Sequence, residues 1–287
     1  MASRKRPKTL SHGRPPVLGP REHMSSQKSR TIIRTHHRLE KQRATALKNG
    51  DAESAEAIAK AIEENGGLKL YQAASKQGQS KDRGGDSSKV LVEWLKQDHV
   101  LQNTPKDTGI EKLRCLEVGA LSTKNEISKI GEQIVMTRID LNSQGSGITK
   151  QDFMERPLPK HPDDLFDIIS LSLVLNYVPE AAQRGSMLKR VTKFLRTSDQ
   201  PAQTDSSILP ALFLVLPLPC VQNSRYLDEQ LLLRIMANMG FDLTKKRLTP
   251  KLCYYLFTLK EKTESVKTEK RKVRDGPSMN NFCIIVE

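Results

Sequence analysis

Along this chain the rhythm of apolar positions changes twice. From Ser25 to Lys48 Gly and Pro vanish and Asn49-Gly50 follows as a stop, which predicts a helix over 25–48. Asp51 suits the N-cap of a second helix, AESAEAIAKAIEE, ended by Asn65-Gly66-Gly67. The two read as a helical hairpin. Gly78 to Lys89 then has three glycines and no apolar side chain, the composition of a flexible connector. Ser87 or Ser88 suits the N-cap of a short helix in which Val90, Leu91, Trp94 and Leu95 share one face. That helix carries the only tryptophan and is expected to pack on the core.

From Arg114 onward short apolar runs alternate with stretches of helical period. Strands are predicted at Arg114–Val118, Ile134–Leu141, Phe166–Leu175 and Ala211–Leu216. Met187, Leu188, Val191, Phe194 and Leu195 recur at helical spacing between the last two, and Leu227, Leu231, Leu232, Ile235, Met236 and Met239 after them. Continuous apolar strands with helices between them imply a parallel sheet buried on both faces. Two more strands, around Lys251–Leu259 and Asn281–Val286, have only a basic loop between them and are expected to be antiparallel neighbours at one edge. The fold class is therefore α/β. The domains are a disordered basic tail over 1–24, a helical basic extension over 25–86 and the sheet domain over 87–287.

Charge sharpens this division. The net charge is +14, yet residues 1–48 alone hold thirteen Lys/Arg against two Glu, and residues 260–274 hold seven against three. The rest of the chain is close to neutral. Basic appendages on a neutral core argue for an anionic macromolecular partner rather than an anionic small substrate. The first basic helix is at least as suited to nucleic acid as to mere solvation. The longest apolar run, Ile208–Val221, contains Pro210, Pro217 and Pro219 and is too short to span a bilayer. No apolar stretch follows the basic N-terminus, so no secretory signal is expected. Four widely spaced cysteines suggest a reduced intracellular protein without a zinc motif. His36 and His37 are expected to point to different sides of their helix, so no metal site is expected there.

Candidate chemistry lies at strand ends. The first strand ends LEVGA, with Glu117 before Gly119, where a ligand can approach backbone that carries no Cβ. The GxGxxG fingerprint of dinucleotide sites is absent, which counts against NAD or FAD. The second strand ends MTRIDL and places Asp140 at its tip, where an ionised carboxylate can accept hydrogen bonds from a ribose diol. Asp152 beside Phe153 can receive an adenine amino group while the ring packs on the base. Equally, Phe153 reads as a core residue. A glycine after the first strand and an acid after the second suggest a nucleoside ligand without a diphosphate. S-adenosylmethionine fits that description. A parallel sheet ending in an antiparallel hairpin also resembles the Rossmann-like fold of S-adenosylmethionine-dependent methyltransferases.

Five blocks carry a closer resemblance: RGGDSSKVLVEWL (83–95), LEVGA (116–120), SLVLNYVP (172–179) with Arg184-Gly185, LPLPCVQNSRY (216–226) and DGPSMNNFCIIVE (275–287). Together they resemble the fungal nucleolar 25S ribosomal RNA adenine-N(1)-methyltransferase family. The resemblance implies methyl transfer from S-adenosylmethionine to N1 of an adenine in large-subunit ribosomal RNA or pre-ribosomal particles, in the nucleolus. It implies cofactor contacts at Gly119 and Asp140. Asn176 and Tyr177 then stand where the target base enters, one to orient its edge and one to stack on it. The alternative is a non-catalytic S-adenosylmethionine sensor, the role of an animal relative in nutrient signalling. The basic arm favours the enzyme, because a metabolite sensor has no need of it. No membrane and no metal enter either reading.

Overall fold

The computed structural model describes residues 24–78, 85–101, 112–131, 133–143, 145–196, 208–261 and 266–287. The tail expected over 1–24 lies outside them except for Met24, as does much of the connector after Gly78.

Helix α1 spans Ser26–Lys48 and α2 spans Ala52–Glu64. Both start as the sequence demands. Ser25 Oγ accepts from Lys28 N at 3.1 Å, and Asp51 Oδ1 accepts from Ser54 N at 3.0 Å. Each such cap is worth about 1 kcal/mol. Gly66-Gly67 ends α2 but does not end the extension. A third helix, α3 (Gly67–Gly78), starts at once and packs on α1, so the expected hairpin is a three-helix unit. The sequence hides α3 because a polar residue is among its most buried: Gln72 is 3% exposed, whereas Leu68 is exposed.

Helix α4 (Ser88–Gln97) buries Leu91, Trp94 and Leu95, and the indole meets Phe213 edge-on at 6.0 Å. Ser87 is its N-cap residue, as expected, but the Ser87 side chain makes no capping bond. Asp86 supplies it, accepting from Ser88 N at 2.9 Å and Ser88 Oγ at 2.8 Å. Glu126 N also donates to Asp86, and Ile127 N to Ser88 Oγ at 3.2 Å. The DSSK block thereby ties α4 to the loop that follows the first strand.

The sheet has seven strands: β1 (Leu113–Val118), β2 (Ile134–Asp140), β3 (Thr149–Lys150), β4 (Ile168–Ser172), β5 (Ala211–Pro217), β6 (Phe241–Leu248) and β7 (Leu252–Leu259). Their order is β3-β2-β1-β4-β5-β7-β6. β1 to β5 pair in parallel, and β7 runs antiparallel to both β5 and β6. Alternate residues of β5 feed two cores. Leu212, Leu214 and Leu216 pack with α5 (Ala181–Phe194) and α7 (Glu229–Ala237), while Ala211, Phe213 and Val215 pack with α4. That is why β5 reads as an unbroken apolar run. A short helix α6 (Pro219–Gln222) follows β5.

The edge hairpin is not the predicted one. β7 is where it was expected, but its neighbour is β6, whose sequence FDLTKKRL looks like solvated surface. As an edge strand it needs little apolar content, and its cations pair with neighbouring acids: Lys245 with Asp98, Lys246 with Glu229, Arg247 with Glu93. Asn281–Val286 joins no sheet strand. Phe282, Cys283, Ile284 and Val286 are buried because it crosses α5, where Ile285 N donates to Ala181 O at 3.0 Å. A Cβ at Gly185 would lie 1.9 Å from Ile285 O, so only glycine permits the crossing.

Candidate functional site

Because β1, β2 and β4 are parallel, their carboxyl ends open on one edge of the sheet. Val118 pairs with Ile139, so the next residues, Gly119 and Asp140, stand side by side. Gly119 N and Ala120 N both donate to Ile139 O, at 2.8 and 3.1 Å. The turn needs glycine twice over. Its φ is +74°, and a Cβ there would meet Val174 Cγ2 at 2.6 Å. The chain after β1 forms a 3₁₀ turn, Glu126–Ile130, rather than an α-helix.

Glu117 has one oxygen engaged by a neighbour and the other buried without a hydrogen-bond partner among the described residues. Asn125 Nδ2 donates to its Oε1 at 2.9 Å, and Arg138 Nε lies 3.6 Å from its Oε2. Burial raises its pKa, against the pull of Asn125 and Arg138. Asp152 is exposed and its carboxylate accepts from Met154 N at 2.7 Å. Phe153 lies in the core, its ring 5.4 Å from Phe194, with its carbonyl taken by Arg190 Nε at 2.8 Å.

After β4 the chain turns sharply. Leu173 has φ +57°, a left-handed conformation that costs a residue with a Cβ roughly 1–2 kcal/mol. Tyr177 N then donates to Val174 O at 2.9 Å. Arg184 fixes the far side of this turn. Its guanidinium donates to Val178 O at 2.9 Å, Pro179 O at 3.1 Å and Cys283 O at 2.6 Å, and lies over the Phe282 ring. Two of the sequence blocks, around Arg184 and Cys283, are thus two sides of one contact. Asn176 Oδ1 is buried with no hydrogen-bond partner among the described residues.

The helical extension closes over these strand ends. The His37 ring lies 4.2 Å from Tyr177, and Tyr71 of α3 meets Tyr177 edge-on at 5.5 Å. His36 stacks on Tyr71 at 4.5 Å, with His37 at 5.8 Å from the same ring. The two histidines therefore converge on Tyr71 instead of diverging, because that ring is wide enough to meet both from between them. Burial, then the neighbouring His36, pushes the His37 pKa down to about 4, so its imidazole is neutral. Gln72 Nε2 donates to Asp140 Oδ1 at 3.2 Å. Burial raises the Asp140 pKa, opposed by the Asn142 amide and by Lys76. The outer face of α1 is different: Arg30, Arg34, Arg38, Lys41 and Lys48 form an exposed stripe with no ion-pair partner among the described residues.

Among the described residues no three His, Cys, Asp or Glu group as metal ligands, and no helix is long and apolar enough to cross a membrane. A doubly wound sheet with a bare glycine turn beside a strand-end carboxylate defines the class: an α/β protein with a crevice suited to a nucleoside cofactor. The family model for the 25S rRNA (adenine(2142)-N(1))-methyltransferase Bmt2 matches residues 56–284, and the chain belongs to that family. It is 40% identical over 225 residues to a 25S rRNA (adenine(2142)-N(1))-methyltransferase of Saccharomyces cerevisiae, covering 78% of this chain and 61% of the relative's length. It is 36% identical over 266 residues to a 25S rRNA adenine-N(1) methyltransferase of Schizosaccharomyces pombe, covering 90% and 91%. Among solved structures, the O-methyltransferase NcsB1 from neocarzinostatin biosynthesis aligns with a TM-score of 0.42 at 10% identity, over 79% of this chain and 70% of that one.

Proposed function

We propose that this chain is an S-adenosylmethionine-dependent methyltransferase acting on N1 of an adenine in large-subunit ribosomal RNA. The observation that carries the reading is the placement of Gly119 beside Asp140, just past the last register pair Val118–Ile139 of β1 and β2, in a chain of this family. The residues suit the cofactor. The glycine turn offers backbone where a Cβ would collide, and the acid beside it can accept from a ribose diol.

When bound, S-adenosylmethionine supplies a methyl group already activated on a sulfonium. The chain then has to bind, orient and exclude water. Adenine N1 carries a lone pair and no proton near neutral pH, so no general base is needed to free it. Asn176 Oδ1, buried and without a partner among the described residues, suits the exocyclic amine of the base. Tyr177 offers a stacking face worth about 1–3 kcal/mol. In-line positioning of this kind can supply on the order of 7–11 kcal/mol of the barrier. N1 is hidden in a base pair, so the base must be unpaired or flipped out.

Residues 87–287 are read as the catalytic unit and 25–86 as an extension that serves RNA. The unpaired cations of α1 support an RNA or pre-ribosomal partner, and a nucleolar site of action follows from that substrate. The test is incubation with methyl-labelled S-adenosylmethionine and separated ribosomal RNAs, followed by nucleoside analysis. Label in 1-methyladenosine of the large-subunit RNA is expected. Cofactor binding with no transfer to any RNA would instead favour the sensor.

A further inference from the structure

Asp140 is held from outside the sheet domain. Its Oδ1 accepts from Asn142 N at 2.8 Å and from Gln72 Nε2 at 3.2 Å. An oxygen of an ionised carboxylate has two lone-pair sites, so Oδ1 is saturated. Oδ2 accepts from no described residue. The carboxylate is therefore locked in rotation, with one oxygen pinned and the other presented.

Gln72 is itself locked. Its Nε2 also donates to Asn142 O at 2.9 Å, and its Oε1 accepts from Asn142 Nδ2 at 3.0 Å. Turning the amide over would set Oε1 against both the Asp140 carboxylate and the Asn142 carbonyl, so the network itself fixes the orientation. The side chain is 3% exposed, and every one of its polar groups is engaged with Asp140 and Asn142. A glutamine this deeply buried loses rotamer freedom and hydration, and here the offsetting hydrogen bonds all serve one strand end. Next to it, Tyr71 docks the same helix on Tyr177, so α3 is fixed across the crevice at two points.

We propose that Gln72 is a positioning residue for cofactor binding: it orients Asp140 so that Oδ2 receives the ribose diol, which makes α3 a wall of the cofactor site. This rests on the reading of Asp140 as the ribose acceptor. The alternative use of the same contact is a plug, in which Gln72 occupies the place of the diol and must leave before the cofactor binds. The saturation of Oδ1 by two donors, with Oδ2 left over, favours positioning.

The experiment is calorimetric titration of the full chain with S-adenosylhomocysteine and with its 2′-deoxyribose analogue. The proteins are wild type, Gln72→Met, Gln72→Glu, Asp140→Asn and the Gln72→Met/Asp140→Asn double variant, with thermal unfolding to check folding. Gln72→Met is nearly isosteric and is expected to weaken S-adenosylhomocysteine binding about tenfold, the scale of one hydrogen bond to a charged group. It should leave the weaker affinity for the deoxy analogue nearly unchanged, so discrimination between the two ligands collapses. In the Asp140→Asn background the Gln72→Met change should add less than about twofold, because coupled residues are not additive. Gln72→Glu sets carboxylate against carboxylate and should weaken binding further. Wild-type affinity in both Gln72 variants, tighter binding in Gln72→Met, or an additive cycle would each overturn the proposal. A wild-type chain that binds neither ligand would remove the proposed function instead, and this inference with it.

Discussion

The imidazole of His37 lies on the ring of Tyr177, centroids 4.2 Å apart and planes tilted by 33°. Tyr177 is the residue proposed to stack on an acceptor base, and on that reading α1 covers the face that the base needs. An aromatic contact of this kind is worth about 0.5–1.5 kcal/mol, less than the 1–3 kcal/mol of a stacked base. RNA can therefore displace His37, but at a cost. His37→Ala is expected to lower the KM for RNA by roughly two- to tenfold while leaving S-adenosylhomocysteine affinity unchanged. Steady-state methylation against RNA concentration measures it. A raised KM would mean that His37 is part of the base pocket rather than its cover.

Tyr177 itself separates stacking from the hydroxyl. Tyr177→Phe keeps the ring and should retain most of the methylation rate. Tyr177→Ala loses the platform, and kcat/KM for RNA should fall about ten- to a hundredfold, the equivalent of 1–3 kcal/mol. Cofactor affinity should hold in both variants.

On the cofactor side, Gly119→Arg should abolish S-adenosylmethionine binding. The turn has φ +74°, and even a Cβ meets Val174 at 2.6 Å, so a long side chain has nowhere to go but the crevice. Asp140→Asn keeps the shape but loses the charge, and should weaken binding roughly ten- to a hundredfold. Calorimetry on folded variants tests both. An unchanged dissociation constant for Asp140→Asn would reduce that residue to a strand end.

Burial was what made elements legible in the sequence. β5 is apolar on both faces because both faces are covered, so its limits were readable to within a residue. The same signal misled at Asn281–Val286, which is just as apolar but is buried across α5 at Gly185 rather than in the sheet. β6 was invisible because an edge strand can be charged. At the site, Gly119 and Asp140 were readable from their places at strand ends, since a parallel sheet brings such places together. Gln72, Tyr71 and His37 were not. Their helices look like a solvated basic arm, and nothing local marks a polar residue whose partner lies far along the chain. Arg184 sat inside a sequence block already singled out, but its three carbonyl partners depend on the C-terminal segment that crosses α5.

The His37 environment also predicts a pH dependence. Its folded pKa is about 4 against 6.5 for a free histidine, and His36 beside it is lowered by burial, against the pull of Glu40 and Glu63. A depressed histidine pKa means that the unfolded or detached arm binds more protons. Stability is then full above about pH 6.5 and is lost as pH falls toward 4, with no further loss from this group below that. The scale is on the order of 2–3 kcal/mol. The extension should become sensitive to proteolysis near pH 5 while the sheet domain stays intact. His37→Phe, which cannot be protonated, should remove much of that sensitivity. An arm equally resistant at pH 5 and pH 7.5 would count against the neutral buried imidazole.

The last prediction concerns the outer face of α1. Arg30, Arg34, Arg38, Lys41 and Lys48 recur at intervals of four, four, three and seven residues, so they lie along one side of the helix. The same helix turns His37 inward, so deleting residues 1–48 would strip the exposed cations and the cover of Tyr177 together. It would also remove the surface on which α3 packs, and with it the support for Gln72. With α3 on Asp140, such a truncation should weaken cofactor binding as well. Replacing Arg30, Arg34, Arg38 and Lys41 by Gln isolates the charge, because Gln is a good helix former and these side chains are exposed. Each phosphate no longer neutralised should flatten the slope of log affinity against log salt by about 0.7–0.9. RNA affinity should therefore fall at low salt, with a slope reduced by up to about three, while S-adenosylhomocysteine affinity and thermal stability stay at wild-type values. Titration of RNA at several salt concentrations measures it. An unchanged slope would show that the RNA lies elsewhere on the molecule and that α1 serves only to cover the site.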